Sequence, residues 1–281
     1  MKYAATIALL GMFMVGCASG DGDPGNQALP DKNSESVDLG ESAESTESSP
    51  ESVKADRDAM YQAAWKYLET QYGKRGTDQR GLDSGWGPGS MSIAYTAIIL
   101  NGMVNTLIWS DDEPKIKESV EWLLDTQNAQ GFWSYMPDSE NGGAMKGIRA
   151  VYITSIVVQL FSELQSHDAW KSSAKEMKQK SDRGRDYLKR AQVGAKESPL
   201  ADYDKNSAGY GGWAYSEQEL KSDRNKGKPA SNMSTTTFAI DALHACGVDK
   251  SDPLWNRALV FLKRNQNSGE TYDENFTAYA K

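Results

Sequence analysis

Three groups of side chains in this 281-residue chain have types and spacings that could do chemistry. Asp111-Asp112-Glu113 is a run of carboxylates of the sort that can donate a proton. Asp241, His244 and Cys246 are zinc-ligand types, but they crowd into one helical stretch and no separate histidine-bearing helix completes a tetrahedral set. Trp133, Tyr135, Asp138 and Glu140, and again Trp213, Tyr215 and Glu217, place acids beside aromatic platforms, the elements of a glycan site. Catalysis by paired carboxylates there requires a separation of about 5 to 10 Å. Each group also has a plain structural reading. The acids at 111–113 precede Pro114, where negative charge caps a first turn and complements the helix dipole. Cys246 suits core packing, His167 a helix boundary, and the loop acids are solvated. No metal and no cofactor are expected.

Charge and composition narrow the field further. Residues 18–55 hold nine acids against two lysines, a balance of -7, whereas residues 56–281 hold thirty acids against twenty-eight bases, a balance of -2. A nearly neutral domain lacks the basic face that nucleic acid requires. Two cysteines make no disulfide framework. At the N-terminus, Lys2 precedes an apolar stretch from Ile7 to Val15, too short to span a bilayer, which takes roughly 20 residues. It ends in Met14-Val15-Gly16-Cys17, which resembles the bacterial lipobox, so residues 1–17 are expected to be a lipoprotein signal with Cys17 as the lipidated residue. Ala18-Ser19 after it suits outer-membrane sorting. From Ser34 to Ser52 come seven serines and six acids with no base, a composition that cannot bury enough surface to offset chain entropy. Residues 18–55 are therefore expected to form a disordered acidic tether, with the folded domain at 56–281.

Within that domain two kinds of helical segment alternate. In Glu113–Gln127, Ile116, Val120, Leu123 and Leu124 share a face, and Trp170, Ala174, Met177, Leu188 and Ala191 do so in a later segment; 56–71 and 252–266 follow suit. Met91–Ile108, Gly147–Leu164 and Met233–Cys246 are apolar nearly all round and must be covered on both sides. Ser110 with Glu113 and Pro114, and Ser251 with Pro253, mark two helix starts. The fold class is all-α, with an inner row of apolar helices lined by an outer row that meets water.

A degenerate repeat runs through this alternation. Aromatic-Leu-x-x-x-Gln endings recur at Trp122 to Gln127, Tyr187 to Gln192 and Phe261 to Gln266, with a shorter version at Tyr67 to Gln71. Glycine-aromatic turns follow at Gly85-Trp86-Gly87, Gly131-Phe132-Trp133 and Gly211-Gly212-Trp213. Gln127 to Trp133 matches the QxxxGxW repeat of squalene and oxidosqualene cyclases, and Gly212-Trp213 followed by Ser231-Asn232 and Phe238-Ala239 is similar to the equivalent unit of the same superfamily, which includes the protein prenyltransferases. The resemblance spans residues 58–281 and implies an α/α toroid, here partial, with Gln127, Gly131, Trp133, Gly212 and Trp213 as structural repeat residues. The glutamine is expected to satisfy a helix end while the tryptophan lies over the turn. The superfamily's Asp-x-Asp-Asp motif does not occur in 56–281, and the prenyltransferase zinc set is incomplete.

These features lead to a lipid-anchored protein of the bacterial envelope, at the outer membrane or facing the periplasm, whose domain binds or scaffolds rather than catalyses. The alternatives are an enzyme on isoprenoid substrates and a glycan-binding or glycan-cleaving toroid. A ligand that is apolar with a polar head is expected where the inner helices start, because unpaired N–H groups and positive dipole ends collect there. Lys146, Arg149, Ser231, Asn232 and Thr235 supply donors, and Tyr95, Tyr152 and Phe238 an apolar wall. The final outer helix, with Leu254, Ala258, Phe261 and Leu262 on one stripe, lacks a following inner helix, so self-association or a protein partner is expected at that edge. Lipid anchoring is tested by Cys17→Ser followed by cell fractionation: the variant leaves the membrane fraction, and unchanged membrane association refutes the anchor.

Overall fold

The computed structural model describes residues 50–73, 85–87, 92–104, 106, 109–134, 149–196, 203–216 and 231–266. Cys17, most of the 18–55 stretch, Tyr135, Asp138, Glu140, Lys146 and Glu217 lie outside them. Among the described residues there are seven α-helices and no strand. They are α1 (Pro50–Gln71), α2 (Ser92–Met103), α3 (Pro114–Asp125), α4 (Ala150–Leu164), α5 (Ala174–Ala191), α6 (Met233–Ala245) and α7 (Pro253–Asn265). None is long and apolar enough to cross a membrane. Helix α1 starts at Pro50, upstream of the boundary expected at 56. Compactness divides the chain between Gln62 and Ala63, inside α1, and the packing described below belongs to the part from Ala63 onward.

The two expected kinds of helix are present in part. α2 and α4 are covered as expected. α6, also expected to be covered on both sides, leaves Met233, Thr237, Asp241 and His244 exposed along one face, because the polar residues spaced along it meet water. α4 is buried on every side, with Val151, Ile153, Ile156, Val157, Val158 and Phe161 at 1% exposure or less. It packs against α2, α5 and α6. α3 and α5 keep single apolar stripes, in which Ile116, Val120 and Leu123, then Met177 and Leu188, are fully buried. Trp170 does not continue α5 backwards. It belongs to a 3-10 turn, Asp168–Trp170, and the amphipathic segment is broken between the two.

Two helix starts differ from the sequence expectation. The N-cap of α3 is Glu113, whose carboxylate accepts the Lys115 N–H at 3.3 Å, and that of α7 is Asp252, which accepts the Leu254 N–H at 3.0 Å. Ser110 and Ser251 stand further out. A proline at the first helical position sets the preceding residue extended, so the acid next to Pro114 or Pro253 takes the cap.

Each glycine-aromatic turn is clamped by one recurring set of buried bonds. The indole N–H groups of Trp86, Trp133 and Trp213 donate to the carbonyls of Leu68, Leu123 and Leu188, at 2.8, 2.7 and 2.8 Å, in the last turns of α1, α3 and α5. The backbone N–H of each tryptophan donates to a threonine hydroxyl one turn into the next helix: Thr96 on α2 at 2.9 Å, Thr154 on α4 at 2.9 Å and Thr236 on α6 at 3.0 Å. Thr96 and Thr154 donate back to the tryptophan carbonyls. One tryptophan thus fastens the end of one helix to the start of the next, and all three are at most 2% exposed.

The glutamines perform a different job from the expected helix-end cap. Gln127 Nε2 donates to Gly131 O at 2.9 Å and to Lys180 O on α5 at 2.8 Å. Gln192 Nε2 donates to Gly211 O at 2.9 Å and to Leu254 O on α7 at 3.0 Å. Each closes its own turn and ties it to the next amphipathic helix. Glycine is required where that helix presses in. Gly131 has φ 92° with the Arg183 carbonyl against it, and Gly211 has φ 84° with the Arg257 carbonyl against it. Gly211, not Gly212, therefore matches Gly131. Gly212 is small for another reason, since a side chain there would strike Ser231 and Phe261.

The clamp makes a stability prediction. Thr154→Val keeps the shape but strands the buried Trp133 N–H, at a cost of about 1 to 3 kcal/mol, and Thr154→Ser recovers most of it. Urea unfolding midpoints of the two variants check this; equal midpoints contradict the clamp.

Candidate functional site

The sequence-expected ligand residues separate into two kinds. Ser231 Oγ donates to Gly209 O at 2.8 Å, and Asn232 is the N-cap of α6, its side chain accepting the Thr235 N–H at 2.8 Å. Both are committed to the turn and the helix start. Thr235 is fully buried and its hydroxyl has no hydrogen-bond partner. Tyr95 lies on α2 against Gly87, and the aromatic contacts described for α4 and α6 run between Tyr152, Tyr215 and Phe238.

Arg149, Tyr152 and Phe238 do come together, and they bring Tyr215 with them. Tyr152, in the first turn of α4, meets Phe238 of α6 edge-to-face with ring centroids 4.9 Å apart, and meets Tyr215 at 6.1 Å. The Arg149 guanidinium sits 4.6 Å from the centroid of the Tyr215 ring. The Tyr215 carbonyl accepts the Val151 N–H at 3.0 Å, which fixes the turn against the start of α4. Edge-to-face pairs contribute about 0.5 to 1.5 kcal/mol each and a half-exposed cation-π contact about 0.5 to 1. These terms offset the cost of the Arg149 backbone, which is the one described non-glycine residue with positive φ, at 53°. Among the described residues the Arg149 side chain makes no ion pair, and it caps no helix N–H. A cation held over the Tyr215 ring at a helix N-terminus suits the negative or hydrogen-bond-accepting head of a ligand, with apolar surface from Tyr152 and Phe238 beside it.

The other chemistry-bearing groups have structural partners. Asp111 does not cap α3. Its Oδ1 accepts the indole N–H of Trp109 at 2.9 Å and of Trp170 at 2.7 Å, and lies 3.3 Å from His167 Nδ1, so one carboxylate joins the segment before α3 to the connection between α4 and α5. Asp182 is paired with Lys178 and Arg185, and Asp252 with Lys189. Asp241 and His244 are exposed while Cys246 is half-buried against the Ser181 carbonyl, so the three do not converge. Among the described residues no three His, Cys, Asp or Glu side chains are grouped to hold an ion. Burial pushes the Cys246 thiol up to about 11, which leaves little thiolate near neutral pH.

The threonines of the clamp, Tyr215 and the Asp111 junction were not legible as a set. Tyr215 had one local signal, its place two residues after a turn tryptophan, as Tyr135 follows Trp133. A comparison with family models finds none that matches the chain, and one with curated proteins finds no match.

Asp111 carries a pH prediction. Partial burial pushes its carboxyl up, but the Trp109 and Trp170 donors and the nearby His167 outweigh that and hold it below the usual 3.8. A carboxyl depressed in the folded state adds stability that is complete above its unfolded value and lost as pH falls through the folded one. The stability gap between the native chain and Asp111→Asn is therefore expected to shrink as pH falls below about 4. A gap constant from pH about 6 to pH about 2, measured by urea unfolding, refutes an ionised Asp111 junction.

Proposed function

We propose that this chain is a lipid-anchored protein of the bacterial envelope whose helical domain, a partial α/α toroid of the squalene cyclase and prenyltransferase type, acts as a binding module without catalysis. The ligand is apolar with a polar, electron-rich head. The observation that carries this reading is the Arg149–Tyr215–Tyr152–Phe238 cluster at the starts of α4 and α6.

Several features support it over the alternatives. The thrice-repeated tryptophan clamp and the glutamine ties are what a curved array of helix pairs requires, since each unit buries its face only against the next. The same cluster disfavours cation-forming isoprenoid chemistry. Aromatic rings stabilise a carbocation through their faces, but here a guanidinium already lies over one ring and repels a second positive charge. Asp111, Asp182 and Asp252 are engaged in hydrogen bonds and ion pairs, which fits a structural use of these acids. The glycan reading rests on Asp138, Glu140 and Glu217, which lie outside the described residues.

Solvent extraction of the purified protein followed by mass spectrometry identifies what it carries. A co-purifying amphiphile with an acidic or strongly accepting head is expected. Arg149→Asn removes the charge while asparagine still tolerates the left-handed backbone. Losing a charge-assisted contact of about 1.5 to 3 kcal/mol lowers affinity tenfold or more. Recovery of no ligand, or full recovery from a folded Arg149→Asn, overturns the reading.

A further inference from the structure

The outer surface formed by α5 and α7 has a chemistry that the rim cluster does not use. α5 carries seven bases against three acids, a balance of +4. α7 carries Arg257, Lys263 and Arg264 and no acid, a balance of +3. The two helices are linked by Lys189 to Asp252 at 2.7 Å and by Arg257 to Gln192 at 2.8 Å. Residues 56–281 as a whole balance to -2, so positive charge is concentrated on these two helices and the remainder of the domain is acidic.

α7 adds apolar exposure to that charge. Its buried stripe is Leu254, Ala258 and Phe261, all at 3% exposure or less, so most of the stripe expected at an open edge is covered within the chain. A second stripe, Trp255, Leu259 and Leu262, faces outward beside it, with Trp255 and Leu262 half-buried and Leu259 47% exposed. Trp255 also borders an open cleft of about 670 Å3 whose other walls include His244, Val248 and Lys250. The indole N–H donates to the Asp249 carbonyl at 2.8 Å, which fixes the ring at the cleft. The one acid at this cleft, Asp249, is turned to the N–H and hydroxyl of Ser251.

A half-buried tryptophan and an exposed leucine, with Lys250 at the same cleft and Lys263 four residues after Leu259 on α7, are the groups that settle at the headgroup level of a bilayer, where the ring takes the apolar side and the bases meet phosphate. We infer that α7, with the Trp255 cleft and the basic face of α5, is a docking surface for an anionic phospholipid membrane. This deepens the envelope reading by giving the anchored domain a fixed side toward lipid. It differs from acylation of Cys17 because it requires no acyl chain, so the two can fail separately.

The test uses the full chain carrying Cys17→Ser, so that no acyl chain contributes, in co-sedimentation with vesicles of phosphatidylcholine alone or mixed with phosphatidylglycerol. Binding carried by the N-terminal apolar stretch would be equal for both compositions and untouched by changes on α7. The inference expects stronger binding to the phosphatidylglycerol vesicles, weakened by high salt. The exposed residues Lys250, Leu259 and Lys263, all changed to Glu, are expected to lower that binding at least about tenfold, since each base near an anionic surface counts separately. Lys66→Glu with Lys117→Glu, on α1 and α3, removes charge elsewhere and is expected to leave most binding intact. Equal binding to both vesicle types overturns the inference, as does undiminished binding by the folded α7 variant or an equal loss in the α1 and α3 variant.

Discussion

Everything described from Ala63 onward depends on how a buried indole N–H finds its acceptor. A helix leaves its last carbonyls unpaired, and a turn that dives into the core leaves N–H groups with no strand or helix to receive them. Both problems occur together wherever an amphipathic helix hands the chain to an apolar one. Tryptophan meets them at once, because its ring fills the space under the turn, its indole N–H takes a leucine carbonyl of the departing helix, and its backbone N–H reaches a threonine of the arriving one. The repetition at Trp86, Trp133 and Trp213 shows one solution used three times, with loops of different length between.

The glutamine ties turn this local solution into a lateral one. Gln127 and Gln192 spend both amide hydrogens, one on their own turn and one on the next amphipathic helix. The first unit departs from this. Among the described residues Gln71 bonds only to the neighbouring Thr70 hydroxyl, and the link from α1 to α3 is made by Lys115 with Glu69 at 3.1 Å and by Tyr72 with Glu118 at 2.9 Å. Such half-exposed contacts are individually weak. The array is therefore bound more tightly between α3, α5 and α7 than at α1.

The same turns also hold the Arg149 cluster together. A left-handed arginine persists only where its surroundings over-determine it. Here the Tyr215 carbonyl accepts the Val151 N–H in the first turn of α4, and Tyr152 packs edge-to-face against both Tyr215 and Phe238. Among the described residues the guanidinium lies against the Tyr215 ring, and in the binding reading proposed above that contact would preorganise it for an acceptor and limit the ordering cost of binding.

The sequence by itself determined the elements. Periodicity separated helices that must meet water from those that cannot, proline and glycine marked their ends, and the spacing of Gln, Gly and Trp identified the repeat. These are local properties, decided by which side chains can lie on one face of a helix. Partners were decided only by the tertiary structure. Nothing local singles out Thr96, Thr154 and Thr236 as acceptors until the tryptophan turn is folded against them. Asp111 read as a cap because Pro114 is near in sequence, yet its donors Trp170 and His167 arrive from more than fifty residues away. Ser231 and Asn232 read as ligand donors but are held by their own turn, whereas Tyr215, which the sequence placed on a glycan platform, joins Arg149. A side chain's type limits what it can bond, but which of several equivalent donors reaches it depends on packing across the chain, and no local pattern records that.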